Sequence, residues 1–192
     1  MIFFTSDTHF YEKRLELFYR PFKNTEESDT TIIRKWNETV RKEDEVYFLG
    51  DFIGPDNNNE EGLKNIVSRL NGKIYLIKGN YDTLGDDIYK KYFISVNDDL
   101  VMRAKKGEEY IDLYLNHYPN KCRKDMIGVV GHVHGLWKVQ RNSVNVGCDA
   151  WHFKPVSINE LLFIINAIKN HFDDNVFAGE LECNLVAKKS DK

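Results

Sequence analysis

The chain has 192 residues, 42% of them hydrophobic and 30% charged, with 4 prolines and a formal net charge of −3. That is the composition of a globular protein with one substantial core, and it excludes collagen-like, low-complexity and intrinsically disordered classes. The acidic balance supplies none of the general attraction to phosphate backbones on which non-specific duplex binding rests, while a small charged substrate stays open.

Ile2 to Ser6 is a short apolar, β-prone run that reads as a buried first strand, with Asp7 and His9 just past its end. From Thr25 to Val40, Ile32, Ile33, Trp36 and Val40 recur at helical spacing behind a cap at Asn24 or Thr25, so an amphipathic helix is expected with Trp36 in the core. Glu45 to Leu49 is a second buried strand that halts at Gly50-Asp51, followed by a Gly54-Pro55-Asp56-Asn57 loop and a helix from about Glu60 to Leu70. Asn71-Gly72 marks a turn, and Lys73 to Ile77 reads as a third strand closed by Gly79-Asn80-Tyr81-Asp82. This strand-helix-strand rhythm implies right-handed crossovers and a largely parallel sheet, in which ligands bind at the carboxyl ends of the strands.

Beyond it the pattern changes to shorter strands near Phe93–Val96, Leu100–Arg103, Tyr110–Asn116, Gly128–Gly131 and Ser143–Val146, which favours a second β-layer. A last helix from about Ser157 to Asn170 carries Leu161, Leu162, Ile164, Ile165 and Ile168, with Ser157 and Glu160 forming a capping box and Phe163 expected in the core. Leu181 to Val186 can add an edge strand before a polar tail, so a single domain is expected over 1–187 with a tail at 188–192. The three cysteines, Cys122, Cys148 and Cys183, show no C-x-x-C spacing, which argues against a disulfide framework or a thiolate zinc knot. No apolar run approaches the roughly 18 residues of a membrane span. A cytoplasmic protein in a reducing compartment is expected.

The residues with chemistry gather at strand ends. Asp7-Thr8-His9 places a carboxylate and an imidazole two residues apart, which in extended backbone point to one side, and Gly131-His132-Val133-His134 repeats this with two imidazoles. His117 follows the Tyr110–Asn116 strand, so four of the six histidines join Asp7, Asp51 and Asn80 in one constellation. Oxygen and imidazole donors of this kind suit manganese, iron, nickel or zinc. Arg14 and Arg20 offer guanidinium groups that match phosphate oxygens, against a default of facing solvent, and His152 is either a cleft residue or an ordinary loop histidine.

In order, Asp7-Thr8-His9, Gly50-Asp51, Gly79-Asn80-Tyr81-Asp82, His117 and Gly131-His132-Val133-His134 resemble the blocks D-x-H, G-D, G-N-H-[DE], H and G-H-x-H of the calcineurin-like metallophosphoesterase superfamily. The words Arg20-Pro21-Phe22, His117-Tyr118-Pro119 and Asn145-Val146-Gly147 further resemble its small bacterial and phage members, the YfcE-like proteins among them. The resemblance implies a four-layer α/β/β/α sandwich of two mixed sheets flanked by helices. It implies that Asp7, His9 and His134 hold one divalent ion, that Asn80, His117 and His132 hold a second, and that Asp51 bridges them. Manganese is expected first, with iron, nickel or zinc as alternatives. The implied activity is hydrolysis of a small or nucleotide-like phosphoester, a diester before a monoester, by a hydroxide bridging two metals. A phosphomonoesterase with the same site and a non-catalytic metal-binding scaffold are the alternatives. No membrane or extended nucleic-acid partner is expected, and a homo-oligomer is open.

The chain departs from the pattern at Tyr81, where the superfamily commonly has the histidine proposed to protonate the leaving oxygen. A phenol, with a reference pKa near 10, is the weaker acid at neutral pH, so a preference for good leaving groups is expected. Tyr81 either donates a hydrogen bond there or packs beside the loop. Asp82 either orients Tyr81 or a ligand histidine, or caps the next helix.

Overall fold

Strand β1 (Ile2–Thr5) places successive side chains on opposite faces, and both faces are covered: Phe3 belongs to one hydrophobic cluster and Phe4 to another. In this computed structural model, which describes residues 1–140 and 142–171, that division organises the whole molecule. The remaining elements in chain order are α1 (Thr25–Thr39), β2 (Glu45–Phe48), α2 (Glu60–Val67), β3 (Lys73–Ile77), α3 (Asp86–Tyr89), β4 (Ser95–Asn97), β5 (Asp99–Lys106), β6 (Glu109–Asn116), β7 (Ile127–Val130), β8 (Val139–Gln140), β9 (Ser143–Asn145), β10 (Val156–Ser157) and α4 (Ile158–His171). The expected edge strand at Leu181–Val186, the tail at 188–192 and Cys183 lie outside the described residues.

The strands form two five-stranded sheets, ordered β10-β1-β2-β3-β4 and β5-β6-β7-β9-β8. In the first, β1 to β4 run parallel and only β10 is antiparallel; in the second, β6, β7 and β9 are parallel between antiparallel partners at each edge. The protein is therefore an α/β sandwich of two mixed sheets flanked by helices. Ile32, Ile33 and Trp36 of α1 and Leu63 and Ile66 of α2 pack with Phe3 and Phe48 on one side of the first sheet. Phe4 and Ile77 on its other side meet Leu113, Leu115, Val129 and Val144 of the second sheet, and Leu161 and Ile165 of α4 join that inner cluster. Trp36, 1% exposed, anchors α1, and truncating it to Ala removes about 3–5 kcal/mol.

The caps follow the sequence. Asn24 Oδ1 accepts the Glu27 N–H at 2.9 Å at the start of α1, and the Ser157–Glu160 box closes reciprocally at 2.8 and 3.2 Å. One expectation is overturned. Phe163 is 76% exposed, because Leu161 and Ile165, one turn apart, define the buried stripe of α4 and a residue two positions from each projects from the opposite side. The helix expected to run to Leu70 ends at Val67, with Ser68, Arg69 and Leu70 continuing as tight turns. The two-residue strands β8 and β10 and the single turn α3 had no periodicity to announce them. No helix among the described residues is long and apolar enough to cross a membrane.

Both sheets aim the carboxyl ends of their parallel strands at one edge. Asp7 follows β1, Asp51 follows β2, Asn80 follows β3, His117 follows β6, and His132 and His134 follow β7. A bridge between Ser6 and Gly147, with the Cys148 N–H donating to the Ser6 carbonyl at 3.0 Å, ties the two sheets together there.

Candidate metal centre

The segments after β1 and β2 run side by side. Asp7 N–H donates to the Gly50 carbonyl at 2.9 Å, His9 to Asp51 at 3.0 Å and Phe10 to Phe52 at 3.0 Å. The side chains do not share a side through extended backbone, as the spacing alone suggested. Asp7, His9, Asp51, His132 and His134 all have positive φ, between 44° and 72°, so each block is a tight left-handed turn. Such conformations cost of order 1 kcal/mol or more each for residues with a Cβ, and they persist where surrounding bonds over-determine them. For Asp7, His9 and Asp51 the ladder between the two segments supplies those bonds, and for His132 the Asp7 carboxylate does, accepting its N–H at 3.0 Å.

Glycine fills the closest approaches. Gly50 has φ +88°, and a Cβ on it would stand 2.5 Å from the Gly79 nitrogen and 2.6 Å from His117 Nδ1. A Cβ on Gly131 would stand 2.7 Å from Asp7 Oδ2, an atom that already accepts the His132 N–H at 3.0 Å. The G-D and G-H-x-H blocks therefore need their glycines so that carboxylates and imidazoles can meet.

Two groups result. Asp7, His9 and His134 present ligand atoms within 4.8 Å of one another, and so do Asp51, His117 and His132. Asn80 joins the second group, with Oδ1 at 3.2 Å from His117 Nε2 and 3.1 Å from His132 Nδ1. Asp51 Oδ2 lies between the groups, 3.5 Å from His9 Nε2 and 3.4 Å from His117 Nε2. All seven sequence-selected ligand residues thus converge on one edge.

The residues fit a bound cation. His9 is 1% exposed and neither ring nitrogen has a hydrogen-bond partner, although buried polar atoms are otherwise almost always satisfied. Burial holds its pKa down to about 3, so it stays neutral with one ring nitrogen's lone pair available. His117 Nδ1 lies 2.7 Å from the Leu49 carbonyl, a contact that a protonated Nδ1 makes as donor, leaving Nε2 to face Asp51 and Asn80. Burial opposes charge on His117, but the hydrogen bond to Asp51 and the charges of Asp7 and Asp51 carry its pKa up to about 9. Burial raises the Asp7 pKa. Burial also opposes ionisation of Asp51, yet the hydrogen bond and charge of His117 hold its carboxyl below the usual range. A site that crowds two carboxylates among four imidazoles is balanced by added positive charge.

Two supporting residues, Asp149 and Phe18, escaped the sequence reading, and a third, Arg20, has another role than the two weighed for it. Asp149 Oδ2 meets His134 Nδ1 at 2.7 Å and turns that ring's other nitrogen toward Asp7 and His9. Arg20, which is buried, neither clamps phosphate nor faces solvent. Its Nε and Nη2 hold Asp149 at 2.7 and 3.1 Å, and it donates to the Thr8 and Asp7 carbonyls at 2.8 and 2.6 Å. Phe18 stacks on His134 at 4.2 Å and on His9 at 4.8 Å, covering the first group. The Arg20-Pro21-Phe22 word was the available signal, but nothing in it pointed to Asp149, 129 positions away. Arg14 is committed to Glu12, with Nε and Nη2 each at 2.8 Å from its carboxylate.

The other two selected residues divide. Tyr81 sits edge-on to His9 at 4.9 Å, interacts with Arg14, and its N–H donates to Asp51 Oδ1 at 2.8 Å. Asp82 is buried and accepts the backbone N–H groups of Asp51, Phe52 and Gly79 at 2.7, 3.1 and 2.8 Å. It is a scaffold for the Asp51 turn. His152 lines a cleft beside His132 and His134, together with Asp149.

Fold and site together define an α/β-sandwich protein with paired Asp/His clusters able to hold metal ions. The chain belongs to the same family as the uncharacterized protein MJ1445 of Methanocaldococcus jannaschii, to which it is 30% identical over 170 residues, covering 85% of this chain and 90% of that one. It is also similar to the Gene 66 protein of Mycobacterium phage L5, at 27% identity over 195 residues and 86% and 94% coverage. A crystal structure of AQ665 from Aquifex aeolicus, titled a protein of unknown function, superposes with a TM-score of 0.65 over 85% of this chain and 98% of that one; at 24% identity this speaks to the fold. No family model matches the chain.

Proposed function

We propose that this protein is a two-metal phosphoesterase of the calcineurin-like kind that hydrolyses small or nucleotide-like diesters in the cytoplasm. The observation that carries the reading is the position of Asp51, one carboxylate oxygen within 3.5 Å of an imidazole from each ligand group. A bridging ligand needs that placement. Asp7, His9 and His134 would hold one ion and Asn80, His117 and His132 the other; the oxygen and imidazole donors suit manganese, iron, nickel or zinc, and the resemblance puts manganese first. Two divalent ions, when bound, neutralise a phosphoryl group and make water acidic enough to attack it in line.

The chain's own residues do the rest. Asp149 and Arg20 fix the ring orientation of His134, and Asp82 fixes the Asp51 turn, so the ligands are held in place before substrate arrives. Tyr81 borders the first ligand group beside Arg14, and its phenol can hydrogen-bond the departing oxygen. As a weak acid it favours substrates whose leaving groups need little protonation. A diester is favoured over a monoester because neither arginine weighed as a phosphate clamp is free to meet a second charge: Arg14 is paired with Glu12 and Arg20 with Asp149.

The test is turnover of bis(p-nitrophenyl) phosphate beside p-nitrophenyl phosphate, with manganese, iron, nickel or zinc added to metal-depleted protein. Metal-dependent hydrolysis with the diester faster is expected. A faster monoester reverses the ranking, and a metal-loaded sample inert to every activated ester leaves the scaffold reading in place.

A further inference from the structure

Next to the first ligand group lies a cleft of about 520 Å³, within the size range of small-molecule sites. It is lined by Phe18, which stacks on His9 and His134, and by His132 and His134 themselves, so it adjoins the ligand centre. Its rim carries Leu17, Tyr19 and Leu136, which are 57%, 93% and 82% exposed. These are three of the eight large hydrophobic side chains left exposed among the described residues, and they converge on one opening. Scattered exposed hydrophobics need no explanation, but a cluster around a concave site marks a ligand surface.

The charge pattern narrows the ligand. The lining includes no lysine or arginine, and its one carboxylate, Asp149, is already held by Arg20 and His134. Away from the imidazoles of His132, His134 and His152, a further phosphate or carboxylate on the ligand would enter a mostly apolar space with no lysine or arginine to meet it. The backbone that carries the rim is also set in advance: Tyr19 has φ 54°, with its N–H bonded to the Glu16 carbonyl and the Arg20 N–H bonded to the Leu15 carbonyl. A rigid aromatic side chain costs little entropy on binding and stacks on flat groups.

We propose that this cleft receives a flat, uncharged arm of the phosphodiester, an aryl or nucleobase-like ring, with Leu17, Tyr19 and Leu136 as the specificity-determining residues. The inference rests on the phosphodiesterase reading for what occupies the ligand centre, and its test is separable from catalysis.

The experiment uses full-length, manganese-loaded protein and three phosphonate methyl esters with poor leaving groups in calorimetry: the monoanions methyl methylphosphonate and methyl phenylphosphonate, and the dianionic 4-carboxyphenyl analogue of the latter. The phenyl probe should bind about tenfold tighter than the methyl one, the gain expected from partial burial of one ring. The 4-carboxy probe should lose that gain. In Leu136→Asp and Tyr19→Ser, both at exposed positions and checked for an unchanged melting temperature, the phenyl-to-methyl ratio should fall toward one. Equal affinities in the unsubstituted protein, or a ratio that survives both substitutions, overturns the proposal. Diester hydrolysis without arm preference removes the cleft assignment alone, whereas arm-dependent binding without hydrolysis removes the catalytic reading and leaves the cleft.

Discussion

Asp82 Oδ2 accepts the backbone N–H of Asp51 at 2.7 Å, so the carboxylate that faces both ligand groups is aimed by a second, buried carboxylate 31 positions further on. With the bonds from Phe52 and Gly79, one side chain satisfies three backbone donors from two loops. Removing it in Asp82→Ala leaves those donors buried without partners, at a cost of about 2–4 kcal/mol. Burial already raises the Asp82 pKa, so a neutral side chain of the same shape is tolerated better. Urea unfolding should therefore rank wild type, then Asp82→Asn, then Asp82→Ala. Equal stability of the two variants would contradict the role assigned to the acceptor oxygens.

Asp51→Asn separates bridging from simple ligation. The amide keeps the volume and one acceptor oxygen, which can still receive the Tyr81 N–H now bound at 2.8 Å, but it removes the negative charge shared between the groups. The variant should remain folded, lose at least one equivalent of metal by elemental analysis, and drop at least about a hundredfold in diesterase activity. Full metal content with full activity would show the bridging assignment to be wrong.

The parts of this site visible in the sequence were those whose order along the chain mirrors strand order in space. The first three parallel strands of the first sheet each end in a word containing a polar residue beside a small one, and the Lys73–Ile77 strand stands where its β-prone run begins and ends. Local pattern could not show that Asp7, His9, His132 and His134 sit in left-handed turns, because that conformation is imposed by partners from other segments. For the same reason Arg20 was weighed only as a phosphate clamp or a surface charge. Its partner Asp149 lies in a turn after β9, brought close only when the Ser6–Gly147 bridge joins the sheets. Phe163 failed differently: helical spacing identifies an apolar stripe, but which of two apolar sides is covered depends on what the helix meets.

Asp149 and Arg20 make a prediction about metal affinity. Without Asp149, His134 Nδ1 loses its acceptor and the ring can rotate away from Asp7 and His9. Asp149→Ala should weaken manganese binding at one of two sites by about 10–100-fold, read by calorimetry on metal-depleted protein. Arg20→Lys should weaken it too, since one ammonium cannot span both Asp149 oxygens and the Thr8 and Asp7 carbonyls. Unchanged affinity in both variants would reduce the pair to a packing role.

Asp29 offers a pH test away from the ligand groups. On α1 it accepts the Tyr11 N–H at 3.0 Å, and burial raises its pKa from 3.8 to about 6. The folded state therefore binds this proton more tightly than the unfolded chain. Its stabilising contribution is fully present below pH 3.8 and is lost as pH rises through about 6. In Asp29→Asn the amide oxygen can still accept from Tyr11 and nothing titrates. The difference in unfolding free energy between wild type and Asp29→Asn should shift against the wild type by about 3 kcal/mol between acid and neutral pH, most of it near pH 4 to 6. Comparing the two proteins cancels the titration of Asp7, Asp51 and the histidines, which both share. Urea midpoints across that range check it, and parallel pH profiles for the two proteins would mean that Asp29 ionises in the fold as it does in water.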